Sequence, residues 1–508
     1  MLKANEFEHG VDDETITYRN GKSILHDEWA NRQFKYHGTA EELLKDKEII
    51  SAFIETHYKK QVPRLKLLHN YYRAFNTNVM QERRRREEHL SDHRAAHDFA
   101  GYISNFVNGY FLGKPITYAH QNKKAQEFVD NFNKLNDIDA LNREIGLDLS
   151  QYGRAYEYIY RSKKDEIRVY HCDVTETFII YNNEAEQDSL LAVRYYPLMT
   201  NKESERNSFI VELISAKNKH KHKTSIEEGF KLSDVDKPEP HFFKKVPITE
   251  ISNNVYRMGD YEKVITQIDL YDEAQSDTAN YMTDLNDALL YISGNTEMTP
   301  EDARKQKAAN ILHLVPGEYE DSDGKVTEGR VDAKYLYKQY DVHGSEAYKS
   351  RIRTDIHTFT NTPDLTDEKF ASNQSGESMK YKLTGLELNA VNKEGLFRKA
   401  LRRRYRLAQE IAQVNSELDK NVDLRELDYT FTRNLPKSLL EELKAYLDAG
   451  GEISQDTLRR LFPSIIGDPE AEEKRLADEE AEQKKRSDGK AYDDDIFNDE
   501  VADANDKE

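Results

Sequence analysis

"GDYEKVITQIDLYDEAQSDTANYMTDLNDALLYI", residues 259–292, is the stretch on which the fold turns. Val264, Ile265, Ile268, Tyr271, Ala274, Thr278, Tyr281, Leu285 and Ala288 recur at intervals of three and four, the spacing of one helix face. With Asp260 as N-cap, this spacing predicts a single helix through the whole stretch. Between residues 260 and 290 there are eight acids and one lysine, a net charge of −7. The helix is therefore amphipathic, with a strongly acidic exposed face.

C-terminal to it, "TPEDARKQKAAN" (299–310) predicts a short helix with Thr299 as N-cap and Pro300 in the first turn. The strand-like runs on either side of Asp323-Gly324 predict a hairpin. "SEAYKSRIRTDIHTFTN" (345–361) predicts a second helix. Asn361-Thr362-Pro363 closes it, because the residue before a proline disfavours the α conformation. A polar run without period follows to Gln374, and Ser375 can cap the next helix. Loops that long inside compact domains are usually functional or disordered. Glu377 to about Leu418 reads as one very long helix, about 60 Å at the α-helical rise, with Gly385 and Gly395 as bend points. "LPKSLLEELKAYLDAGG" (435–451) and "SQDTLRRLFP" (454–463) predict a helical hairpin. From Glu470 to Glu508 there are 16 acids and 7 bases, a net of −9. This tail has few aliphatics and is expected to be disordered beyond an initial helical stretch.

N-terminal to the opening stretch, residues 1–38 show little period and read as an arm. From Thr39 to Tyr160 the pattern is mainly helical. "HDFAGYISNFVNGYFLG" (97–113) is apolar at Phe99, Tyr102, Ile103, Phe106, Tyr110 and Phe111, and Gly113 and Pro115 end it. From Ala155 to about Phe243 short β-branched and aromatic runs, among them "AYEYIYR", "EIRVYHC", "TFIIYNN" and "LLAVRYYPL", read as strands. "SAKNKHKHKTSIEEG" (215–229) reads as a charged hairpin tip or loop. The fold class is α+β, mainly helical.

The chain has 508 residues, 37% hydrophobic and 33% charged, a formal charge of −20 and a mean hydropathy of −0.88. Such polarity fits an extended or multi-subunit shape better than one large sphere, although 31 Tyr and 20 Phe supply core material. No run of about 18 apolar residues predicts a membrane span. The opening "MLKANEFEHGVDDE" lacks the basic and apolar regions of a secretory signal. The single cysteine, Cys172, allows no intrachain disulfide, fits a reducing cytosol and reads as a buried thiol. A net negative chain would not ordinarily bind nucleic acid, because phosphate neutralisation needs Lys and Arg.

Motifs for chemistry fail one by one. "GYFLGKP" (109–115) has three residues between its glycines where a phosphate loop needs four, and Pro115 stands where Ser or Thr must hold magnesium. His89, His93 and His97 would share one helix face, but three ligands in line cannot close a tetrahedron; they read as a solvated or interface face. "YEDSDGKVTEGR" (319–330) puts Tyr319 and Arg330 where calcium ligands belong and reads as a plain hairpin. There is no nucleophile elbow and no zinc-protease motif. No catalytic constellation, metal site or cofactor is expected. Of two arginine clusters, Arg83–Arg86 is flanked by acids and reads as a salt-bridged helix face. "RKALRRRYR" (398–406) stays open between a subunit contact and an anion or DNA contact.

The order of parts, together with "AHDFAGYISNFVNGYFLGKPI", "GLDLSQYGRAYEYIY", "GDYEKVITQIDLYDEAQSDTANYMTDLNDA", "FTNTP", "SGESMKYKL" and "RNLPKSLLEELKAYLDAGG", resembles the portal (head–tail connector) proteins of tailed bacteriophages, of the siphovirus type found in Gram-positive hosts. The resemblance covers most of residues 90–460. It implies a ring, usually of twelve subunits, at one capsid vertex of the virion, assembled in the host cytoplasm, with double-stranded DNA passing along its axis. Carried over by segment, it implies an arm (1–38), a wing (39–258), a first stem helix (259–292), a clip (293–342), a second stem helix (343–361), a tunnel loop (362–376), a long wing helix (377–419), a crown (420–468) and an acidic tail (469–508). Implied partners are the terminase large subunit, scaffolding and major capsid proteins, and the head-completion adaptor, with no membrane.

On that resemblance Asp269, Asp272, Asp277, Asp284 and Asp287 would line the channel, and twelve stem helices would carry roughly −84 near the axis before counterions. Such a wall repels DNA and lets it slide. Thr362, Asp364, Lys369, Phe370, Ser372, Asn373 and Gln374 would touch DNA without gripping it. Lys325 and Arg330 on the clip would dock partners. The rival expectations are a helical scaffolding or tail-assembly protein without a channel, and an unrecognised enzyme using some of the many carboxylates.

Overall fold

The structure is a computed structural model that describes residues 25, 27–80, 91–199, 207–284, 289–293, 299–308, 316–320, 322–328, 330–336, 341–365, 383–434, 448, 452–454, 457 and 472–479. The chain divides into two units, Met1–Leu435 and Pro436–Glu508. In the second unit residues 472–479 are helical, and Ser454 Oγ, at the start of the second predicted hairpin helix, accepts from Thr457 N. The rest of the predicted crown hairpin and tail lies outside the described residues.

In chain order the first unit runs β1 (Phe34–Tyr36), α1 (Ala40–Lys45), α2 (Lys47–Thr56), α3 (Val62–Tyr72), α4 (Phe99–Leu112), β2 (Thr117–Ala119), α5 (Lys123–Leu135) and α6 (Ile138–Tyr152). Nine strands follow: β3 (Arg154–Arg161), β4 (Ile167–Cys172), β5 (Thr177–Asn182), β6 (Ser189–Pro197), β7 (Ser208–Ile214), β8 (Asn218–Ser225), β9 (Ser233–Asp234), β10 (Glu239–Pro240) and β11 (Ile248–Ser252). Then come α7 (Ile265–Asp284), β12 (Leu289–Ser293), α8 (Pro300–Ala308), β13 (Glu318–Glu320), β14 (Val326–Glu328), β15 (Asp332–Leu336), α9 (Val342–Thr360), α10 (Thr384–Val414) and β16 (Asp428–Thr430).

Local chemistry sets many of these boundaries. Thr39 Oγ1 accepts from Glu42 N while Glu42 Oε2 accepts from Thr39 N, a capping box that starts α1. Gly153 ends α6 at φ +77°, where a Cβ would lie 2.2 Å from Arg257 O. Only glycine fits both the conformation and the approach.

The larger sheet has the order β1-β5-β6-β7-β8-β10, with β9 also on β8; the smaller is β11-β3-β4. Only β1 joins the larger sheet parallel, with Phe34 opposite Ile180. The expected arm is therefore in part structural: Ala30 and Phe34 are buried, and the backbone of 34–36 completes a sheet edge. The 215–229 stretch, expected as a hairpin tip or loop, contains β8, paired with β7 from Ser208↔Ser225 to Ile214↔Lys219. Its alternation turns His222 and Thr224 inward. The largest core joins α3, α4, α6, the start of α7, α9 and α10. α10 runs unbroken through Gly395, one expected bend point; Gly385, the other, is its second residue, and 377–382 before it lie outside the described residues.

Candidate functional site

α7 and α9 lie antiparallel. Lys349 Nζ donates to Gln275 Oε1 at 3.0 Å, and one turn away Thr278 Oγ1 sits 3.5 Å from Ser345 Oγ. The predicted first helix is shorter than its period suggested. It is described to Asp284, and Leu289–Ser293 is a strand, not helix. β12 pairs antiparallel with β15 from Leu289↔Leu336 to Ser293↔Asp332, so a two-stranded ladder ties the chain beyond α7 to the chain before α9. β-branched and aromatic residues around Tyr291 satisfy both periods, and the cross-strand partner decides. Farther out, Thr299 and Asp302 cap α8 reciprocally, and β13 and β14 form the expected hairpin around Gly324 at φ +74°. Lys325 and Arg330 are exposed there.

Charge pairs root α7 in the protein. Asp260, expected as N-cap, instead accepts from Lys393 Nζ (2.5 Å), Ser150 Oγ and Asn253 Nδ2. Glu262 accepts from Arg64 Nε at 2.9 Å, and both side chains are buried. Isolated charges at such depth cost several kcal/mol, about 3–5 when one partner is removed.

The buried face of α7 changes character along its length. Val264, Ile265 and Ile268 are buried near the root. Farther on, Asp272, Ser276 and Asn280 are buried, each one helical turn from the last. They hold the extended segment 91–98. His97 N donates to Asp272 Oδ1 (3.0 Å), Ala95 N to Ser276 Oγ (3.0 Å) and His93 N to Asn280 Oδ1 (2.6 Å). Four helical residues rise about 6.0 Å and two extended residues about 6.6 Å, so every second backbone N–H meets every fourth helix side chain. Asn76 Nδ2 donates to both His97 O and Asp272 Oδ2, fixing the register.

This polar zipper and the neighbouring Tyr71 decide two expected sites. Asp269 and Asp272, expected on the channel wall, are buried within the protomer. Asp269 accepts from Tyr71 OH at 2.6 Å, and burial pushes that phenol up to about 12. Asp272 serves the zipper and pairs with His97 Nδ1. Hydrogen bonding to segments already packed on α7 turns both away from any outer surface. Asp277 is exposed. Asp284 ends the described helix, and Asp287 lies outside the described residues. The zipper residues Ser276 and Asn280 were not singled out from sequence, although their spacing from Asp272 is a visible i, i+4, i+8 series.

His93 and His97 share no helix face, because 91–98 is extended and α4 starts at Phe99; His89 lies outside the described residues. Among the described residues no group of His, Cys, Asp and Glu could hold a metal ion, and no helix is long and apolar enough to cross a membrane.

The end of α9 is pinned. Asn361 adopts φ +56° as the C-cap, and Tyr102 OH donates to Pro363 O at 2.7 Å. Thr362, expected to face DNA, is buried, with its Oγ1 2.7 Å from Thr360 Oγ1. Asp364 pairs with Arg353 Nε at 3.2 Å. These two are anchors of the loop. Lys369, Phe370, Ser372, Asn373 and Gln374 lie outside the described residues, as do Arg83–Arg86. In the second arginine cluster Arg404 is fully buried, donating Nε to Glu157 at 2.8 Å and Nη1 to Asn142, so it is structural. Cys172 is buried, which pushes its thiol up to about 12 and keeps it protonated at neutral pH.

A family model described as "Phage portal protein, SPP1 Gp6-like" matches residues 51–486. The portal protein of Bacillus phage SPP1 is 22% identical over 405 residues, covering 77% of this chain and 76% of the relative. The portal protein of Clostridium phage phiCD119 is 23% identical over 429 residues, covering 81% and 90%.

Proposed function

The chain belongs to the SPP1 Gp6-like family of phage portal proteins, and we propose that it forms a ring, twelve subunits in the virion, at one capsid vertex. The ring is the channel for packaging and ejecting double-stranded DNA. It docks the terminase large subunit first and the head-completion adaptor later, and it meets scaffolding and major capsid proteins during assembly in the host cytoplasm. In this reading the protein is not an enzyme, and ATP hydrolysis belongs to the terminase.

The observation that carries the reading is the antiparallel pair of α7 and α9, closed by the β12–β15 ladder and tipped by a charged hairpin. The pair is the stem and the insert is the clip, whose Lys325 and Arg330 offer a docking surface. Asp277, and Asp284 and Asp287 beyond it, supply the acidic wall, with less charge than the sequence count because Asp260, Glu262, Asp269 and Asp272 are held inside the protomer. A basic wall would hold phosphates by counterion release and resist each step of translocation. The loop after Asp364 narrows the channel, with Lys369, Phe370, Ser372, Asn373 and Gln374 touching the moving DNA.

Negative-stain microscopy of the purified chain, with particle mass, tests this reading. Closed rings with a central hole are expected. Filaments without a hole would favour the rival, a helical scaffolding or tail-assembly protein. Replacing residues 366–374 with a Gly-Ser linker should spare the ring and shorten or release packaged DNA; normal heads at normal yield would make the loop a mere connector.

A further inference from the structure

A cleft of about 750 Å³ opens between α10, β11 and the turn joining β5 to β6. One stripe of α10 lines it: Lys399, Arg402, Arg403 and Arg406, at the i, i+3, i+4, i+7 spacing of a single helix face. Lys399, Arg402 and Arg406 are exposed. Arg406 has Glu410 at 3.3 Å, whereas neither Lys399 nor Arg402 has an ion-pair partner among the described residues. Arg403 is held by Ser189 Oγ (2.8 Å) and Val246 O (2.9 Å), which are neutral acceptors, and its buried Nε has no partner. Burial lowers its pKa, outweighing the opposing charges of Asp188 and Glu157. Lys245 adds a further cation at the rim, 3.7 Å from Asp188. In a chain of net charge −20, this concentration of cations stands out.

We propose that this cleft is a docking site for an acidic peptide segment of a partner protein, one whose carboxylates meet the α10 cations and whose apolar side chain packs on the half-buried Leu396. The concavity admits an extended chain, and its volume is that of a ligand cleft rather than a groove for a convex duplex. Glu186 and Asp188 on the opposite wall disfavour a polyphosphate, which is uniformly anionic, while a peptide can place an amide or hydroxyl there. The proposal goes beyond the portal reading, which survives its failure.

The test is fluorescence anisotropy of the full chain with a labelled peptide of alternating glutamate and serine carrying one phenylalanine. Competitors are inorganic phosphate and a DNA duplex. The wild type should bind, and Lys399→Glu/Arg402→Glu should bind about tenfold more weakly. Lys163→Glu/Lys164→Glu, a reversal on an exposed turn away from the cleft, should leave affinity unchanged. The neutral variant Lys399→Gln/Arg402→Gln, with the wild-type urea midpoint, guards against a folding artefact and should also lose affinity. Absence of binding, equal loss in both reversals, or duplex binding that is tighter and abolished by the α10 variant would overturn the proposal.

Discussion

The two halves of α7 are held by different physics. Near the root, Val264, Ile265 and Ile268 are buried in the main core, and Asp260 and Glu262 pair with Lys393 and Arg64. Beyond Tyr271 the buried positions are Asp272, Ser276 and Asn280, which grip 91–98 through backbone hydrogen bonds. Apolar burial is non-directional and supplies cohesion. A ladder of hydrogen bonds contributes less net stability but is costly to leave half made, so it fixes register more than it adds strength. One half anchors the helix; the other orients it.

The largest effects belong to the root. Arg64→Met leaves the Glu262 carboxylate buried without its partner and should cost about 3–5 kcal/mol in urea unfolding. The double variant Arg64→Met/Glu262→Met should recover much of that loss, since an apolar pair of similar volume replaces buried ions at little cost. Equal losses in the two variants would show that the pair itself stabilises the root, so that the loss is not merely the cost of an unpaired carboxylate. Ile268→Ala should cost about 2–5 kcal/mol through the cavity it leaves.

In the outer half, Ser276→Ala removes the acceptor for Ala95 N and should cost about 1–3 kcal/mol. Its signature is local. Amide exchange should quicken at His93, Ala95 and His97 while the root stays protected. Uniform acceleration along α7 would erase the distinction between the halves.

The larger sheet has its own pH dependence. His57 is buried beside Phe34 and Phe178, with Nδ1 2.7 Å from Tyr195 OH. Burial, then the charges of Arg154 and Arg257, lower its pKa well below the ordinary value. The unfolded chain therefore takes up a proton near pH 6.5 that the folded chain refuses. Stability is fully present above that pH and falls below it, by about 1.4 kcal/mol per pH unit, until the folded imidazole titrates. His57→Gln should flatten the difference between urea midpoints at pH 7 and pH 5.5.

The smallest effect on stability is expected at the hairpin. Lys325→Glu with Arg330→Glu should stay within about 0.5 kcal/mol, because both are exposed. Rings should form, and packaging or adaptor attachment should suffer. Failure of ring formation would remove this hairpin from the docking surface.

Elements with local causes were legible in the sequence. Gly113 stops α4, Asn361 before Thr362-Pro363 ends α9, and Asp323-Gly324 turns the hairpin. Elements decided by a distant partner were not. Phe34 becomes strand because β5 lies beside it, and Leu289–Ser293 because β15 does. His93 and His97 show helical spacing yet lie extended, since the ladder on α7 rewards a two-residue repeat. The same ladder turned one expected channel carboxylate, Asp272, inward, and Tyr71 on α3 holds a second, Asp269. Charge counts along a sequence do not say which carboxylates face water.

The exposed Asp277 face of α7 should line the channel. The buried, protonated thiol of Cys172 leaves a quiet background for a single reactive cysteine. Asp277→Cys, labelled with a maleimide gold cluster and assembled, should show gold on the ring axis in averaged negative-stain images. Gold at the perimeter of well-formed rings would contradict the assignment of α7 to the channel wall.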